Sequence, residues 1–335
     1  MKRINNIFSQ VTSYDNLLIA SRLAAKGSGK TAATCRFFYY LETEILRLQM
    51  ELMNDTYRPG AYRYFTIFDP KERVIAVAPF RDRVVHHAVV RILTPIYERV
   101  FIYDSYATRP AKGTHVAIKR AQQFVRRWPW YLKADVNKYF DSVNHNALMD
   151  IIKRKIKDRR LLLLLDRIIR NSPSGKGLPI GNLTSQFLAN VYFDPFDHEI
   201  KDRLGVKGYL RYMDDIVLFG NSKRELLELK PGIEIFLLNR LGLCLKSNVT
   251  CLNRSSHGLS FLGMRIFPAL IRVKPENRRR SLKRLKDVFR KWQNDELDED
   301  SMTQSMASIV GHFRYFCPTV RVTLEAGAEK AAPTG

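Results

Sequence analysis

Three aspartates occupy positions where a carboxylate is costly unless something binds it. Asp135 lies near the end of a strand predicted over residues 131–136, and Asp214 and Asp215 separate two short strands predicted over residues 209–219. Burying unpaired carboxylates among apolar residues is expensive, and a divalent cation such as Mg²⁺, which prefers oxygen ligands, removes that cost. Two such ions about 4 Å apart would stabilise the attacking 3′ oxygen and the leaving pyrophosphate of an in-line nucleotidyl transfer.

The same aspartates have a simpler interpretation as turn residues. Asp is common in turns, so Asp214 and Asp215 alone are also typical of a polar hairpin. A glycine-rich loop over residues 172–177 lies between the two acidic segments. Together, the Asp135 segment and this loop favour a cation site over a simple turn.

The charge balance indicates a polyanionic partner. The 335 residues carry 56 Lys and Arg against 33 Asp and Glu, a formal net charge of +23, and 45% of the residues are hydrophobic. The hydrophobic share is that of a globular protein and excludes wholesale disorder. The length suits two or three domains of roughly 100–150 residues. The excess of basic residues points to nucleic acid or an anionic membrane surface.

No segment of the sequence is typical of a membrane span or a secretory signal. A spanning helix needs about 20 consecutive apolar residues, and the best run, residues 161–169, is interrupted by Asp166 and Arg167. Polar residues follow Lys2 and Arg3 where a signal peptide would be apolar. We therefore expect a cytoplasmic protein without a membrane partner, and nucleic acid is the favoured partner.

The cysteines fit the same compartment. The four cysteines form no C-x-x-C pair, so a disulfide framework or a zinc cluster is not expected, and a reducing compartment fits. They are Cys35, Cys244, Cys251 and Cys317.

Hydrophobic periodicity predicts helices and hairpins in alternation. The predicted helices cover residues 35–53, 80–103, 114–127, 145–170, 182–201, 223–241 and 276–293, and strands are predicted within residues 62–77, 131–136, 209–219 and 259–271. A turn at residues 69–72 divides the first strand pair, and residues 324–335 are small and polar. Because hairpins occur together with crossovers, the fold class predicted is α+β and not a doubly wound sheet.

Two further motifs carry little weight. Residues 27–31 resemble the end of a phosphate-binding loop, but the glycine that the full pattern requires five residues before Gly29 is replaced by Ala24, so a basic loop is the better interpretation. His86 and His87 lie on a predicted helix without a third metal ligand at suitable spacing, which favours a packing or polar role.

The acidic segments resemble those of a known family. Tyr212-Met213-Asp214-Asp215 is similar to the central motif of reverse transcriptases, and residues 135–141 resemble their first acidic motif. Three other segments occur in the family's order: residues 71–90, with Arg73, Asp82 and Arg83, resemble the fingers of bacterial group II-like enzymes; residues 177–190 resemble the nucleotide-binding segment; and residues 260–263 resemble the primer grip. The likeness spans roughly residues 55–270.

This resemblance implies a right-hand polymerase of fingers, palm and helical thumb. The implied division is an N-terminal region with fingers at 1–130, a palm at 131–270 with a helical insertion at about 145–178, a thumb at 271–325 and a disordered tail at 326–335. The implied ligands of two Mg²⁺ ions, or of Mn²⁺, are Asp135, Asp214 and Asp215 with the Val136 carbonyl. The implied partners are template RNA, the RNA/cDNA duplex and dNTPs.

The resemblance also implies nucleotide-binding residues: Arg73, Arg83, Phe140, Ile180, Gly181 and Gln186. An aromatic side chain at Phe140, five residues after Asp135, would exclude a 2′-hydroxyl sterically; the alternative is an ordinary core aromatic. Arg73 and Arg83 would bind the triphosphate, because guanidinium groups match phosphate oxygens geometrically; the alternative is a solvated basic face. The basic loop of Arg109, Lys112 and Gly113 is a weaker candidate for contact with template or nucleotide.

The nucleotide-binding segment departs from most relatives. Most have Gln before the glycine and Pro after the serine, whereas this chain has Ile180 and Gln186 at those places. This form resembles the enzymes of diversity-generating retroelements, which copy template RNA with errors at adenines and act with a small, basic, oligomeric accessory variability protein. Ile supplies only apolar contact, so mispairs would be penalised less; the alternative is that Ile180 merely packs.

Basic segments after the palm predict a grip on nucleic acid. Residues 278–291 hold eight basic residues and one acidic residue on a predicted helix, with Leu282, Leu285 and Phe289 as its apolar stripe. This suits contacts to a duplex backbone; the alternative is a solvated charged face. The predicted backbone contacts are Arg279, Lys283, Lys286 and Arg290, and the predicted primer grip is Phe261, Leu262 and Gly263.

Two basic positions stay open. Residues 153–160 form a second basic stretch that suits either RNA or a protein. Lys246 lies near the position where related polymerases carry a general acid, but Val249 occupies the expected register, so no general acid is assigned.

The rival functions are other bacterial reverse transcriptases, of the group II intron, retron or defence type, and a non-catalytic RNA-binding scaffold. Group II intron proteins usually add a maturase region after the thumb, for which this chain has little room. The presence of all three aspartates argues against the scaffold.

Overall fold

The computed structural model of the protein describes residues 3–27, 31–68, 71–172, 175–247 and 250–314. Several features of the sequence lie wholly or partly outside these residues: the phosphate-loop-like motif at 27–31, the turn at 69–72, Val249, Cys317 and the tail at 326–335.

Five helices and a hairpin lie in the described part of the N-terminal third. The helices are α1 (Phe8–Thr12), α2 (Tyr14–Ala25), α3 (Ala32–Tyr39), α4 (Leu41–Met53) and α5 (Phe80–Tyr97). The helix predicted over residues 35–53 is thus two helices, because Tyr40 leaves helical geometry (φ −107°, ψ 34°). The Ser13 hydroxyl caps α2 by accepting a hydrogen bond from the Asn16 N–H (3.3 Å). The α2 helix packs on α5.

The predicted hairpin is present and largely exposed. Strand β1 (Arg63–Phe68) pairs antiparallel with β2 (Glu72–Val77), with Phe65 opposite Ile75. Five of the six β1 residues are exposed, while Ala76 near the end of β2 is buried.

The central sheet has strand order β4-β5-β3-β6. Its strands are β3 (Trp130–Asp135), β4 (Gly208–Tyr212), β5 (Asp215–Gly220) and β6 (Cys251–Arg254). In the chain, the helices before and between these strands are α6 (Thr114–Arg127), α7 (Tyr139–Ser142), α8 (His145–Lys155), α9 (Arg159–Arg170), α10 (Leu183–His198) and α11 (Lys223–Leu241). Strands β3 and β6 run antiparallel, with Trp130 opposite Arg254.

Residues 145–170, predicted as one helix, are two helices because Asp158 begins a new one. Its carboxylate accepts hydrogen bonds from the Leu161 N–H (3.2 Å) at the start of α9 and from the Ile7 and Phe8 N–H groups (2.8 and 2.9 Å). Asp158 therefore caps α9 and fixes the N-terminal segment against it. Helix α10 runs on into a π-helical turn, Glu199–Arg203.

The C-terminal part holds a small sheet and two helices. Strands β7 (Leu259–Phe261), β8 (Met264–Ile266) and β9 (Ile271–Val273) form an antiparallel sheet, followed by α12 (Pro275–Gln293) and α13 (Glu299–Arg314). Pro275 at the first position of α12 suits a helix start.

The chain forms two compact units. The first comprises residues 1–109, 134–216 and 228–250, and the second residues 110–133, 217–227 and 251–335. The core of the first contains the edge-to-face pair Phe193 and Phe196 (5.2 Å between centroids). The core of the second contains Phe124, Trp128 and Phe219, with centroids 5.1 to 6.3 Å apart.

Helices and antiparallel hairpins therefore share each unit, as the α+β prediction requires. Within the described residues, no helix combines the length and the apolarity needed to cross a bilayer. The domain boundaries given in the sequence analysis stay predictions.

Candidate active site

The three aspartates converge at one end of the central sheet, within the first unit. Asp135 is the last residue of β3, Asp214 lies in the turn from β4 to β5, and Asp215 is the first residue of β5. The Val136 N–H donates a hydrogen bond to the Asp214 carbonyl (3.3 Å), which ties the end of β3 to that turn. Met213 makes the turn tight, with a left-handed φ of +55° that is unfavourable for a side chain with a Cβ.

The carboxylates are close enough to repel each other. Burial, together with the negative charges of Asp135 and Asp215, raises the pKa of Asp214 to about 6. Crowding of like charges in a half-buried place is the electrostatic arrangement that a bound cation relieves.

Lys246 supplies a positive charge at this place. Its ammonium is ion-paired with the Asp135 carboxylate, and its N–H donates to the Asp135 carbonyl (2.8 Å). The Asn137 N–H donates to the Cys244 carbonyl (2.8 Å), so residues 244–246 run beside residues 135–137. No role for Lys246 could be predicted from the sequence, because the pairing of these two segments is what brings it to Asp135.

The donor set suits a hard divalent cation. The groups that would hold it are the carboxylates of Asp135, Asp214 and Asp215 and the Val136 carbonyl, all oxygens, as Mg²⁺ prefers. In the described ranges, no three His, Cys, Asp or Glu side chains already form a metal-binding cluster. The repulsion that raises the pKa of Asp214 is the observation that makes these residues fit a cation.

A fully buried ion pair holds the turn between β4 and β5 in place. Arg211 and Asp197 are both 0% exposed and pair bidentately, with Nη2 2.6 Å from Oδ2 and Nε 2.8 Å from Oδ1. Arg211 also donates to the Met213 carbonyl (3.1 Å) and to the side chains of Asn190 and Ser105 (3.0 Å each).

The network around Arg211 and Asp197 was not predicted, although the sequence contains a feature that indicates it. Arg211 sits inside an apolar strand and Asp197 inside an apolar helix, and buried charges at such positions need each other. The network holds the Met213 carbonyl, and with it the turn that carries Asp214.

The predicted nucleotide-binding loop is attached on two sides. Its Leu178 N–H donates to the carbonyl of Phe140 (2.7 Å), which lies within the first acidic segment. On the other side the Ala76 N–H of β2 donates to the Ile180 carbonyl (2.7 Å), and the Asn182 amide donates to the Ala76 carbonyl (3.2 Å). The loop therefore connects the β1–β2 hairpin to α7, the short helix that carries Phe140.

Two glycines of this loop are required by their surroundings. Gly181 has φ +114°, and a Cβ there would lie 2.8 Å from the Ile75 side chain and 2.9 Å from the Ala76 carbonyl. Gly177 has φ +82°, and its Cβ would lie 3.1 to 3.2 Å from the backbone of Phe140 and Asp141. Larger residues would lift the loop away from β2 or from the acidic segment.

The other predicted nucleotide-binding residues differ in their surroundings. Phe140 is half-buried, with its ring edge-on to Tyr139 (5.6 Å), and Ile180 and Gln186 are also half-buried. Arg73 is exposed on β2. Arg83 is half-buried: its guanidinium donates to the Ala24 carbonyl and lies over the Phe80 ring (5.2 Å). Burial lowers the pKa of Arg83.

Arg109 corrects one expectation. Its side chain is buried, and its guanidinium is ion-paired with Glu98 (2.8 Å) and donates to the carbonyls of Ile102 and Ser105 (2.6 and 2.8 Å). All of these partners are internal, so Arg109 holds the backbone of residues 98–105, which argues against the predicted contact with template or nucleotide. Burial likewise explains His86, whose pKa it lowers to about 3, leaving a neutral side chain in the core.

The predicted primer grip and thumb helix belong to the second unit. Phe261 is buried at the end of β7, and Leu262 and Gly263 form the turn to β8 with φ of +45° and +82°. The Lys274 N–H and the Asn277 amide both donate to the Gly263 carbonyl (3.1 Å each), which joins this turn to the start of α12.

The observed bounds of α12 agree with the predicted ones, but fewer residues of its predicted apolar stripe are buried than expected. Leu285 is buried and Phe289 half-buried, whereas Leu282 is 37% exposed, so the buried stripe is narrower than predicted. The predicted backbone contacts Arg279, Lys283, Lys286 and Arg290 are all exposed, and Arg290 is paired with Asp287 (3.3 Å).

Comparison with known proteins decides the family. Residues 68–266, more than half of the chain, match the family described as "Reverse transcriptase (RNA-dependent DNA polymerase)". The chain belongs to this family. Its match includes both acidic segments, the nucleotide-binding loop and the primer-grip turn.

The relatives point to group II intron proteins. Protein YkfC of Escherichia coli is 28% identical over 262 residues, covering 69% of this chain and 68% of YkfC. The group II intron-encoded protein LtrA of Lactococcus lactis is 24% identical over 297 residues, covering 67% of this chain and 50% of LtrA. The chain therefore spans about half the length of LtrA.

Solved structures give the fold. A telomerase from Candida tropicalis, in complex with a fragment of telomeric RNA, superposes with a TM-score of 0.54 at 13% identity, covering 82% of this chain and 55% of the telomerase. The apo telomerase of the same organism gives 0.50 over 66% of this chain. These likenesses confirm the fold class predicted from the sequence, a right-hand polymerase.

Proposed function

We propose that this chain is an RNA-directed DNA polymerase that makes cDNA from a template RNA by two-metal nucleotidyl transfer. The observation that carries the proposal is the convergence of Asp135 with the Asp214–Asp215 turn, tied by the hydrogen bond from the Val136 N–H to the Asp214 carbonyl. Membership of the reverse transcriptase family supports the substrate class.

Each residue then has a distinct task. The carboxylates of Asp135, Asp214 and Asp215 hold the cations, Mg²⁺ in the first instance and Mn²⁺ as the alternative, with the Val136 carbonyl beside them. When bound, the cations supply the charge that activates the primer's 3′ oxygen and neutralises the pyrophosphate. Arg211 and Asp197 act as positioning residues, because they fix the turn without reaching the substrate.

Substrate selection falls to the turn and loop beside the aspartates. Phe140 would exclude the 2′-hydroxyl of a ribonucleotide, and its carbonyl is fixed by the Leu178 N–H. Arg73 and Arg83 are the proposed triphosphate contacts, and Gly181 and Gln186 complete the nucleotide site. Phe261, Leu262 and Gly263 would position the primer, while α12 follows the duplex backbone.

The test is primer extension on an RNA template with dNTPs and Mg²⁺. The wild-type chain should extend the primer, and Asp214→Asn, which keeps the side-chain shape but removes the charge, should lose at least about a thousandfold in rate, as expected when a group that stabilises transition-state charge is removed. Asp141→Asn, an exposed carboxylate six residues after Asp135, is the matched control and should stay active. Equal extension by wild type and Asp214→Asn would refute the proposal.

A finer assignment is error-prone copying in a diversity-generating retroelement, with a basic oligomeric accessory variability protein as partner. Its support is Ile180 and Gln186, at the positions where most relatives carry Gln and Pro. Ile180 lies beside β2, where its carbonyl accepts from the Ala76 N–H. Ile180→Gln should reduce misincorporation opposite template adenine. An unchanged error spectrum in sequenced cDNA would discard this mechanism.

The second candidate is a group II intron-type enzyme, favoured by the likeness to LtrA. It predicts faithful copying at all four template bases by the wild-type chain. The same cDNA sequencing therefore separates the two candidates before any variant is made.

A further inference from the structure

A cavity of about 760 Å³ lies in the first unit, away from the aspartates. It is formed where α5, α8, α10 with its π-helical turn, and α11 approach their C-terminal ends, and none of its lining residues belongs to the candidate active site. The size is that of a pocket for a small molecule or a single nucleotide. The π-helical turn Glu199–Arg203 along one side is a distortion that often accompanies binding sites.

The inner end of the cavity carries polar atoms without hydrogen-bond partners. Tyr97 is 3% exposed, and its hydroxyl is buried and makes no hydrogen bond. Its ring is held edge-on against Phe187 (5.4 Å between centroids), so the position of the hydroxyl is fixed.

The second such atom is Oδ1 of Asp194. It is also buried without a hydrogen bond. His198 Nε2 forms a long ion pair with it (3.5 Å) and also lies 3.1 Å from the Val100 carbonyl, so Oδ1 keeps capacity for a donor from a ligand. Buried polar atoms without partners are costly, so a ligand that offers both a donor and an acceptor is expected here.

The wall of the cavity is apolar and aromatic. Phe236 presents a ring, and the remaining apolar lining comes from Val100, Ile151, Pro195 and Leu241. A flat, largely apolar body with polar edges fits such a wall.

The rim is basic. Arg154, Lys155 and Arg240 line it, and within the part of the chain that the structure describes no acidic side chain pairs with them. The other cations at the rim are already paired, Arg203 with Glu199 and His198 with Asp202. Helix C-termini favour cations in their last turns, but the three free cations also leave positive charge available to an external anion.

We propose that this cavity receives the base of an unpaired nucleotide in a bound RNA. A base N–H would donate to Asp194, the Tyr97 hydroxyl would donate to a ring nitrogen or carbonyl of the base, and the base would pack against Phe236. The flanking phosphates would reach Arg154, Lys155 and Arg240. Recognition of this kind, in which a base from a single-stranded region enters a protein pocket, is typical of RNA.

The proposal assigns Arg154 and Lys155 of the basic stretch 153–160, which suits RNA or a protein on sequence grounds, to RNA. An acidic protein segment would match the rim but would bring carboxylates towards the Asp194 carboxylate. A nucleotide has its anionic groups outside and its hydrogen-bond donors inside, in the order that the cavity presents. The inference rests on the proposed function only in taking RNA as the partner.

The test uses a short single-stranded RNA with one 2-aminopurine, titrated into the full chain in buffer with EDTA while emission is recorded. The wild-type chain should quench the emission as the base packs against Phe236. Tyr97→Phe removes only the hydroxyl and should weaken binding about tenfold, as loss of one buried hydrogen bond predicts. The double variant Arg154→Ala/Arg240→Ala should weaken binding and flatten its salt dependence.

Two controls keep the outcome interpretable. Lys153→Ala/Arg159→Ala removes two exposed cations of the same basic stretch that do not line the cavity, and it should bind like wild type. Asp214→Asn should also bind like wild type, so a failure of the polymerase proposal leaves this result unaffected. Circular dichroism of each variant establishes that it is folded.

The proposal is overturned if folded Tyr97→Phe and Arg154→Ala/Arg240→Ala both bind the RNA as tightly as the wild-type chain. It is equally overturned if RNA binding is unchanged while a poly-glutamate peptide binds wild type and not Arg154→Ala/Arg240→Ala, because the surface would then belong to an acidic protein.

Discussion

At the residue scale, the ionisation of Asp214 links the active site to stability. Its folded-state pKa, about 6, exceeds the ordinary value of 3.8. An acid whose pKa is raised by folding contributes stability while it is protonated and loses that contribution as the pH rises through the folded pKa. Ionised Asp214 therefore destabilises the chain above about pH 6 when no cation is bound.

The charge on Asp214 should therefore change the stability of the chain in a pH-dependent way. In EDTA, Asp214→Asn should be more stable than wild type at pH 8, by about 1–3 kcal/mol for a shift of this size, and the difference should vanish near pH 4. Thermal unfolding across this pH range measures it. A difference that does not depend on pH would mean that Asp214 does not carry this charge cost.

Individual residues also show which parts of the candidate site could be predicted from the sequence. The two acidic segments stand out because charge interrupts apolar strands, and the glycines at 177 and 181 lie where positive φ is needed. Lys246 and Arg109 could not be placed, because the role of Lys246 depends on a partner distant in the chain and that of Arg109 on the irregular fold of the segment just before it. Lys246 meets Asp135 only because their two segments pair. The Arg109 guanidinium donates hydrogen bonds to carbonyls that are in place only once residues 98–105 have folded.

At the element scale, the turn between β4 and β5 depends on the buried pair of Arg211 and Asp197. Removing one partner leaves a buried charge uncompensated, so Asp197→Asn should cost about 3–5 kcal/mol of unfolding free energy. Urea unfolding checks this. The matched control is Asp202→Asn, an exposed partner of His198, which should cost less than about 1 kcal/mol. Similar losses for both variants would contradict the account.

The nucleotide-binding loop gives the third prediction. Gly181→Ala should raise the KM for dNTPs at least about tenfold, the effect of a loss near 1.4 kcal/mol, because its Cβ would lie under 3.0 Å from β2 and shift the loop. Gly175→Ala is the control: it also has a positive φ, +65°, but a Cβ there meets nothing within 4 Å. Primer-extension kinetics compare them, and equal KM values would show that the loop is not held by this contact.

Element boundaries show where periodicity is insufficient. Apolar residues recur at helical spacing throughout residues 35–53 and 145–170. This periodicity cannot reveal that one helix ends and a second helix begins within each range. Tyr40 breaks the first by its backbone geometry. Asp158 breaks the second by capping α9 and binding the N–H groups of Ile7 and Phe8, a contact about 150 residues away in the chain.

At the scale of the whole molecule, the net charge of +23 predicts salt-dependent binding to nucleic acid. Replacing the four exposed cations of α12, Arg279, Lys283, Lys286 and Arg290, with Gln should flatten the slope of log K against log salt by about 3.6, since each phosphate contact contributes about 0.9. Fluorescence anisotropy with an RNA/DNA duplex measures this. An unchanged slope would place α12 outside the duplex contacts.

The α+β architecture was predictable as a whole because hairpins and crossovers each leave a local signal. The division of the chain into two units was not. Both units are assembled from three separate stretches, and the boundaries cut through β3 and β5, where the hydrophobic pattern is continuous. The predicted boundaries of fingers, palm and thumb follow chain order alone.

The proposed mechanism requires that Asp135, Asp214 and Asp215 together hold the cations at which the primer end meets the nucleotide. Electron paramagnetic resonance with Mn²⁺, an RNA template, a primer lacking its 3′-hydroxyl and the matching dNTP tests this directly. The account predicts two bound Mn²⁺ per wild-type chain, with binding lost in Asp135→Asn and Asp214→Asn and kept in Asp141→Asn. Equal Mn²⁺ binding by all four proteins would contradict it.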